Sequence, residues 1–300
     1  MKYVIILNIT KRRIQPVNKK RILFKLSSLL LFTSVFLSPL NACAETFYSK
    51  PSEKMKLVWS DEFDESEINK DNWTYDIGKG NNGSNNGWGN NELQYYTDRS
   101  DNSRIEDGNL VIEAHKENYN GSDYTSARLK SKELKEFTYG RIEARIKLPL
   151  DQGLWPAFWM LGSSFTGDDK WPYCGEIDIM EHVNKEPVVS GALHWDNNGP
   201  QTFGQSVTVD NLDDYHVYAL EWTKNYIKWY VDDQLFCAAD ISDIIIPNLE
   251  RNIKNNDAFH QPFFILLNMA VGGNWPKDPD DSTDFPAKMY VDYVRVYELS

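Results

Sequence analysis

The sequence predicts an all-β protein built as an antiparallel sandwich, and three observations carry that reading. Apolar and polar residues alternate with a period of two in several short runs. Turn-forming clusters separate those runs, and no stretch of convincing length has helical periodicity. An apolar share of 41% with 13% aromatics over 300 residues suffices for a packed core, so wholesale disorder is excluded.

Charge removes one class of partner. The first 44 residues hold eight of the 32 basic side chains and no acid, so 24 basic residues face 44 acids over residues 45–300. Such a surface repels phosphate backbones, and neither nucleic acid nor an anionic membrane is expected as a partner.

Taken in chain order, the first element is an address. Basic residues up to Lys25 precede an apolar run from Leu29 to Leu40, followed by Asn41-Ala42-Cys43-Ala44. This predicts a signal peptide over 1–44 and one secreted or periplasmic domain over 45–300. The run is shorter than the ~20 residues of a membrane-spanning helix. Leu40-Asn41-Ala42-Cys43 also resembles a lipoprotein box, so a lipid anchor at Cys43 is the rival outcome. After cleavage only Cys174 and Cys237 remain, which is no disulfide framework. They read as small buried side chains, with pairing between them left open.

The clearest strand spans Arg141 to Leu148, where Arg141, Glu143, Arg145 and Lys147 alternate with Ile142, Ala144, Ile146 and Leu148. Similar runs lie at Leu110–Ala114, Val189–Trp195, Val217–Trp222, Ile227–Val231, Phe263–Met269 and Met289–Tyr297. Asp232-Asp233 reads as a hairpin turn into Gln234–Cys237. The stretch Gly78–Asn91 is too rich in Gly and Asn to pack a core and reads as a surface loop. Its Trp88, with Asn90 to Tyr96 beyond it, supplies planar and hydrogen-bonding groups of the kind a sugar site uses. Asn248–Asp257 reads as a second exposed loop.

The most informative segment is Gly175-Glu176-Ile177-Asp178-Ile179-Met180-Glu181-His182, where three acids interrupt an apolar strand. Burying them without purpose is costly. Glu176 and Asp178 share a face, but Glu181 points away in a regular strand. A β-bulge around Ile179–Met180 returns it to their side. The two Glu backbones then lie ~13 Å apart, and side chains leaning inward leave ~5 Å between carboxyls. Retaining glycosidases hold their two carboxyls about 5–5.5 Å apart and inverting ones about 6.5–9.5 Å. Asp178 is placed to keep one Glu ionised and the other protonated. A solvated acidic edge and a cation site are the competing readings; Ile177, Ile179 and Met180 are too apolar for the first, and hard-cation loops usually carry more Gly, Asn and Asp than this segment.

At this point the sequence resembles glycoside hydrolase family 16, in particular its laminarinase-like endo-β-1,3-glucanases. The resemblance covers nearly all of residues 55–298. It rests on Trp59-Ser60-Asp61-Glu62-Phe63, Gly87-Trp88-Gly89 through Tyr96, Gly153-Leu154-Trp155-Pro156-Ala157-Phe158-Trp159-Met160, Gly175 to Glu181, Gly272-Gly273-Asn274-Trp275-Pro276 and Asp292-Tyr293-Val294-Arg295-Val296-Tyr297. It implies a β-jelly roll of two curved sheets with a concave cleft for a polysaccharide. Glu176 then matches the nucleophile, Glu181 the acid/base and Asp178 the assisting acid. The five-residue Glu spacing resembles the laminarinase type, not the lichenases.

The same resemblance points to substrate contacts at Asn91, Arg128, Trp155, Trp159, His194 and Trp275. Trp155 and Trp159 lie four apart and share a strand face; packing in the core is their alternative role, and an ion pair is that of Arg128. It also implies a structural calcium at Glu62, the Gly108 carbonyl and Asp292, an oxygen set that needs water to complete six to eight ligands. Catalysis by double displacement needs no cofactor. The expected activity is hydrolysis of β-1,3-glucan, with mixed-linkage glucan as a further substrate and no protein partner, the chain acting as a monomer. The alternatives are a non-catalytic glucan-recognition protein and a transglycosylase using the same cleft.

Overall fold

The computed structural model describes residues 55–80, 87–166, 171–242 and 256–299. The segment expected to be a signal peptide, Cys43, part of the Gly/Asn loop and most of Asn248–Asp257 lie outside those residues. The described chain contains strands β1 (Met55–Asp61), β2 (Thr74–Tyr75), β3 (Gln94–Tyr96), β4 (Ser103–Glu106), β5 (Asn109–Tyr119) and β6 (Ser122–Ser126). Next come β7 (Arg128–Lys130), β8 (Glu136–Phe137), β9 (Gly140–Lys147), β10 (Leu154–Gly162), β11 (Glu176–Glu181) and β12 (Val188–Asp196). The last are β13 (Pro200–Thr208), β14 (Tyr215–Trp222), β15 (Tyr226–Val231), β16 (Gln234–Asp240), β17 (Phe263–Val271) and β18 (Ala287–Leu299). No α-helix occurs among the described residues.

Two sheets form. One runs β16-β15-β14-β9-β18-β5-β6-β3, with β1 and β4 added at β18 and β5; the other runs β13-β12-β11-β10-β17-β7-β2, with β8 beside β17. Pairing is antiparallel throughout, apart from β3 and β6, which run parallel. Inward residues such as Ile142, Ala144 and Ile146 of β9 meet Phe158, Met160, Ile177 and Ile179 of the facing sheet in one continuous core. This is the two-layer solution that lets each sheet bury one face. β17 is buried along its whole length, which explains why its sequence is an unbroken apolar run instead of an alternation.

The hairpin at Asp232-Asp233 forms as expected. Both residues have positive φ, 48° and 61°, the geometry of a two-residue turn whose twist matches the strands it joins. Cys174 and Cys237 are both buried, and no disulfide joins the two.

The alternation along β9 marks one buried face, yet on the opposite, charged face Arg141 and Glu143 are buried as well. Arg141 donates to Glu143 and to Asp233, each at 2.7 Å, and its guanidinium lies over the Tyr230 ring. Neighbouring strands therefore satisfy these charges and exclude water from them.

Candidate active site

The face of β11 that carries the acids is set by a single inserted residue. Opposite β10, Phe158 pairs with Met180 and Trp159 with Asp178, so Ile179 has no partner. Opposite β12 the register slips in the same place, between Asp178 and Glu181. The expected bulge is present. Ile177, Ile179 and Met180 all enter the core, and Glu176, Asp178 and Glu181 share the opposite, cleft-lining face. A bulge also strands a carbonyl, and Trp229 of the other sheet supplies the missing donor: its indole Nε1 lies 2.8 Å from the Asp178 oxygen.

Around the carboxylates stand one imidazole and several indoles. His194, opposite Glu176 on β12, places Nε2 3.2 Å from Asp178 Oδ2 and 3.9 Å from Glu176 Oε1. Thr202 on β13 orients the ring through a 2.9 Å contact to Nδ1. Trp171 donates Nε1–H to Glu176 at 3.0 Å and lies beside the His194 ring. Trp155 donates to Glu181 at 3.0 Å, and Trp275 stands edge-on to it at 5.5 Å. Trp171 and Trp275, 41% and 43% exposed, thus flank opposite ends of the acidic row with apolar ring surface open to a ligand.

These surroundings separate the two glutamates. Burial, then the charge of Asp178, lifts the Glu176 carboxyl above the usual range, while the His194 cation and the Trp171 donor oppose the lift. Glu181 is pushed well above that range by burial and by the charges of Asp178 and Glu176. Burial works against a charged His194, but the contact with Asp178 and the charges of the two glutamates raise it to about 9. A cationic imidazole therefore sits against the row.

Beyond β10 the floor continues over β17 and β7. Arg128 is not free to reach out: its guanidinium lies against the indoles of Trp88 and Trp159, at 4.9 and 4.7 Å, and its Nε is 3.0 Å from Asp76. The ion-pair role left open by the sequence is the one observed. Trp88 accordingly packs on Arg128 and Tyr96. Gln94 and Tyr96 are fully buried, and so belong to the support of the cleft and not to its surface. Asn91 sits on the rim and donates to Asn274 at 2.9 Å, tying down the loop that carries Trp275. His182 is buried, with its ring nitrogens 2.9 and 2.8 Å from the carbonyl oxygens of Val188 and Asn184, and so faces away from the acids.

The calcium set is not supported by its surroundings. Glu62 is held by two bonds from Arg295, at 3.0 and 2.7 Å, and Asp292 by Arg145 at 2.7 Å. Each acid already has its own cation, so the donor set does not suit a divalent ion, and no role is derived for one. In the cleft, Glu176, Asp178 and His194 offer ligand atoms within 4.8 Å of one another.

Sequence reasoning missed Trp171, Thr202, Asn268 and Trp229. Trp171 lies only five residues before Glu176 but, as an isolated Trp, gave no pattern. The other three act from separate strands. Gly191 was the one available signal for Trp229: a Cβ there would lie 2.6 Å from the indole, and a Gly inside a strand often marks such close approach.

The family model for glycosyl hydrolases family 16 matches residues 90–295. The chain belongs to glycoside hydrolase family 16. Among family 16 relatives, the beta-glucanase of Rhodothermus marinus is 43% identical over 287 residues, which cover 92% of this chain and 97% of that protein. The clotting factor G alpha subunit of Tachypleus tridentatus is 42% identical over 247 residues, 82% of this chain; there the matched part is only 34% of the relative's length. The laminarinase catalytic domain of Thermotoga maritima superposes with a TM-score of 0.73 at 41% identity, covering 83% of this chain and all of that one. The family 16 jelly roll is therefore the fold of this protein, with its cleft over the eight-stranded sheet.

Proposed function

We propose that this family 16 protein is a retaining endo-β-1,3-glucanase with Glu176 as nucleophile and Glu181 as acid/base. The observation that carries the proposal is the bulge at Ile179, which aligns three carboxylates on one cleft face. The unequal environments of the two glutamates support the division of roles. Glu176, nearer the His194 cation and bonded to Trp171, ionises first. Glu181, beside two acids, keeps its proton.

In the first step Glu176 attacks the anomeric carbon while Glu181 protonates the departing glycosidic oxygen. A glycosyl ester forms and the sugar–oxygen bond breaks. Glu181, now a carboxylate, takes a proton from water, whose oxygen displaces Glu176 and restores both groups. Asp178 and His194 hold opposite charges against the pair and damp the change of charge at each step. The similarity to a laminarinase and a β-glucanase supports glucan as substrate. The strands β12, β11, β10 and β17 lie side by side beneath the acids, which gives a glucan chain one sheet face to lie across and supports attack within a chain.

The test is reducing-sugar release from laminarin, mixed-linkage glucan and agarose, with Glu176→Gln as control. Preferential laminarin cleavage that the substitution abolishes is the expected result. Laminarin bound but uncleaved by the unaltered protein would instead identify a recognition protein, and products longer than the substrate a transglycosylase.

A further inference from the structure

Glu92 is a half-buried carboxylate that the mechanism does not use, and its hydrogen bonds lead to the cleft floor. The direction of every link is set by two groups that can only donate. On one side the backbone N–H of Val271 donates to Gln94 Oε1 at 2.7 Å, so the Gln94 amide nitrogen must face Glu92, where it donates to Oε2 at 2.7 Å. On the other side the indole Nε1–H of Trp159 donates to Asn268 Oδ1 at 2.7 Å, so the Asn268 amide nitrogen must face Tyr96 and donates to its hydroxyl at 3.1 Å. The Tyr96 proton is then left for Glu92 Oε2, 3.3 Å away. Asn90 donates to the other carboxylate oxygen at 3.4 Å. Glu92 is thus the common acceptor on which both chains of donors converge, and an amide in its place would turn a donor toward a donor.

The far end of this relay is part of the binding surface. Trp159 pairs in register with Asp178, is half-buried, and carries Arg128 stacked against its ring. We infer that Glu92 is a positioning residue which, through Tyr96 and Asn268, sets the plane of the Trp159 indole and so the affinity for a β-glucan chain lying over β10, β17 and β7. This rests on the glucan reading of the cleft, but the relay itself is testable without substrate.

The experiment uses the folded protein labelled with 15N at its indoles. The Trp159 Nε1–H resonance is identified by its loss in Trp159→Phe. Tyr96→Phe removes one hydroxyl from the middle of the relay and should shift that resonance while those of Trp155 and Trp171 stay in place; Glu92→Gln should shift it in the same way. With laminarihexaose as probe, calorimetry in the inactive Glu176→Gln background should show Tyr96→Phe weakening Kd about fivefold, the loss of roughly one hydrogen bond. In a Trp159→Phe background the same change should have no further effect on Kd.

An unmoved Trp159 resonance overturns the relay, and so does a Kd penalty that persists without the Trp159 indole. A merely structural Tyr96 would lower Tm in every background and leave the resonance where it was. Should the unaltered protein fail to cleave or bind any glucan while the resonance moves, the functional reading falls and the relay stands.

Discussion

Glu176 and Glu181 are the same side chain five residues apart, and what distinguishes them is contributed by neighbours. Trp171 and His194 stand at the first; Trp155 and two further acids stand at the second. If Glu181 donates the proton, Glu181→Gln should lower kcat on laminarin by roughly 10²–10⁴-fold. An aryl laminarioside whose phenolate leaves unaided should lose much less in its first step. Equal losses on the two substrates, in a pre-steady-state comparison, would remove Glu181 from the acid role. The three carboxylates were legible because acids inside an apolar strand are costly without a purpose, and local spacing shows them. Their partners were not: Thr202 reaches His194 from another strand, and no periodicity records which ring nitrogen it meets.

At the level of elements, the bulge in β11 works only with what faces it across the sandwich. Ile179 is the unpaired residue, Asp178 contributes the freed carbonyl, Trp229 of β15 satisfies it, and Gly191 of β12 leaves room for the indole. Gly191→Ala should therefore push Trp229 off its acceptor and destabilise the fold by roughly 1–3 kcal/mol, the usual range for overpacking a dense core. Urea unfolding measures this, and a midpoint equal to the unaltered protein's would show that the indole has space to move. The position of the bulge could be derived from the sequence because a one-residue insertion is the smallest change that brings Glu181 to the face of Glu176. The burial of Arg141 and Glu143 could not: their alternation with apolar residues is the same in a solvated strand, and the groups that cover them, Tyr230 and Asp233, come from β15 and its turn.

For the molecule as a whole, the site is a source of instability at alkaline pH. Glu176, Glu181 and His194 all hold protons more tightly in the folded protein than in the unfolded chain, His194 up to about 9. The native state therefore binds more protons between pH 7 and 9, and stability must fall as pH rises through that window. His182, whose affinity for a proton is lowered by burial, titrates below it. The urea midpoint should decline from pH 7 to 9, and Glu181→Gln should flatten the decline and raise Tm at pH 8.5 by roughly 2–4 °C. A midpoint that is level or rising over this range in the unaltered protein would contradict the proton-holding site.

The sequence by itself determined the sheet class, the hairpin at Asp232-Asp233, the bulge and the three acids. Each of these is a consequence of residues adjacent or nearly adjacent along the chain, where side-chain direction follows from strand geometry. Only the tertiary structure decided that Arg128 lies against two indoles, that Glu62 and Asp292 are matched with arginines, and that Glu92 is wired to Trp159. Those arrangements join residues from strands far apart in the sequence. Their energies depend on distance and on excluded water, which exist only once the two sheets have closed on each other.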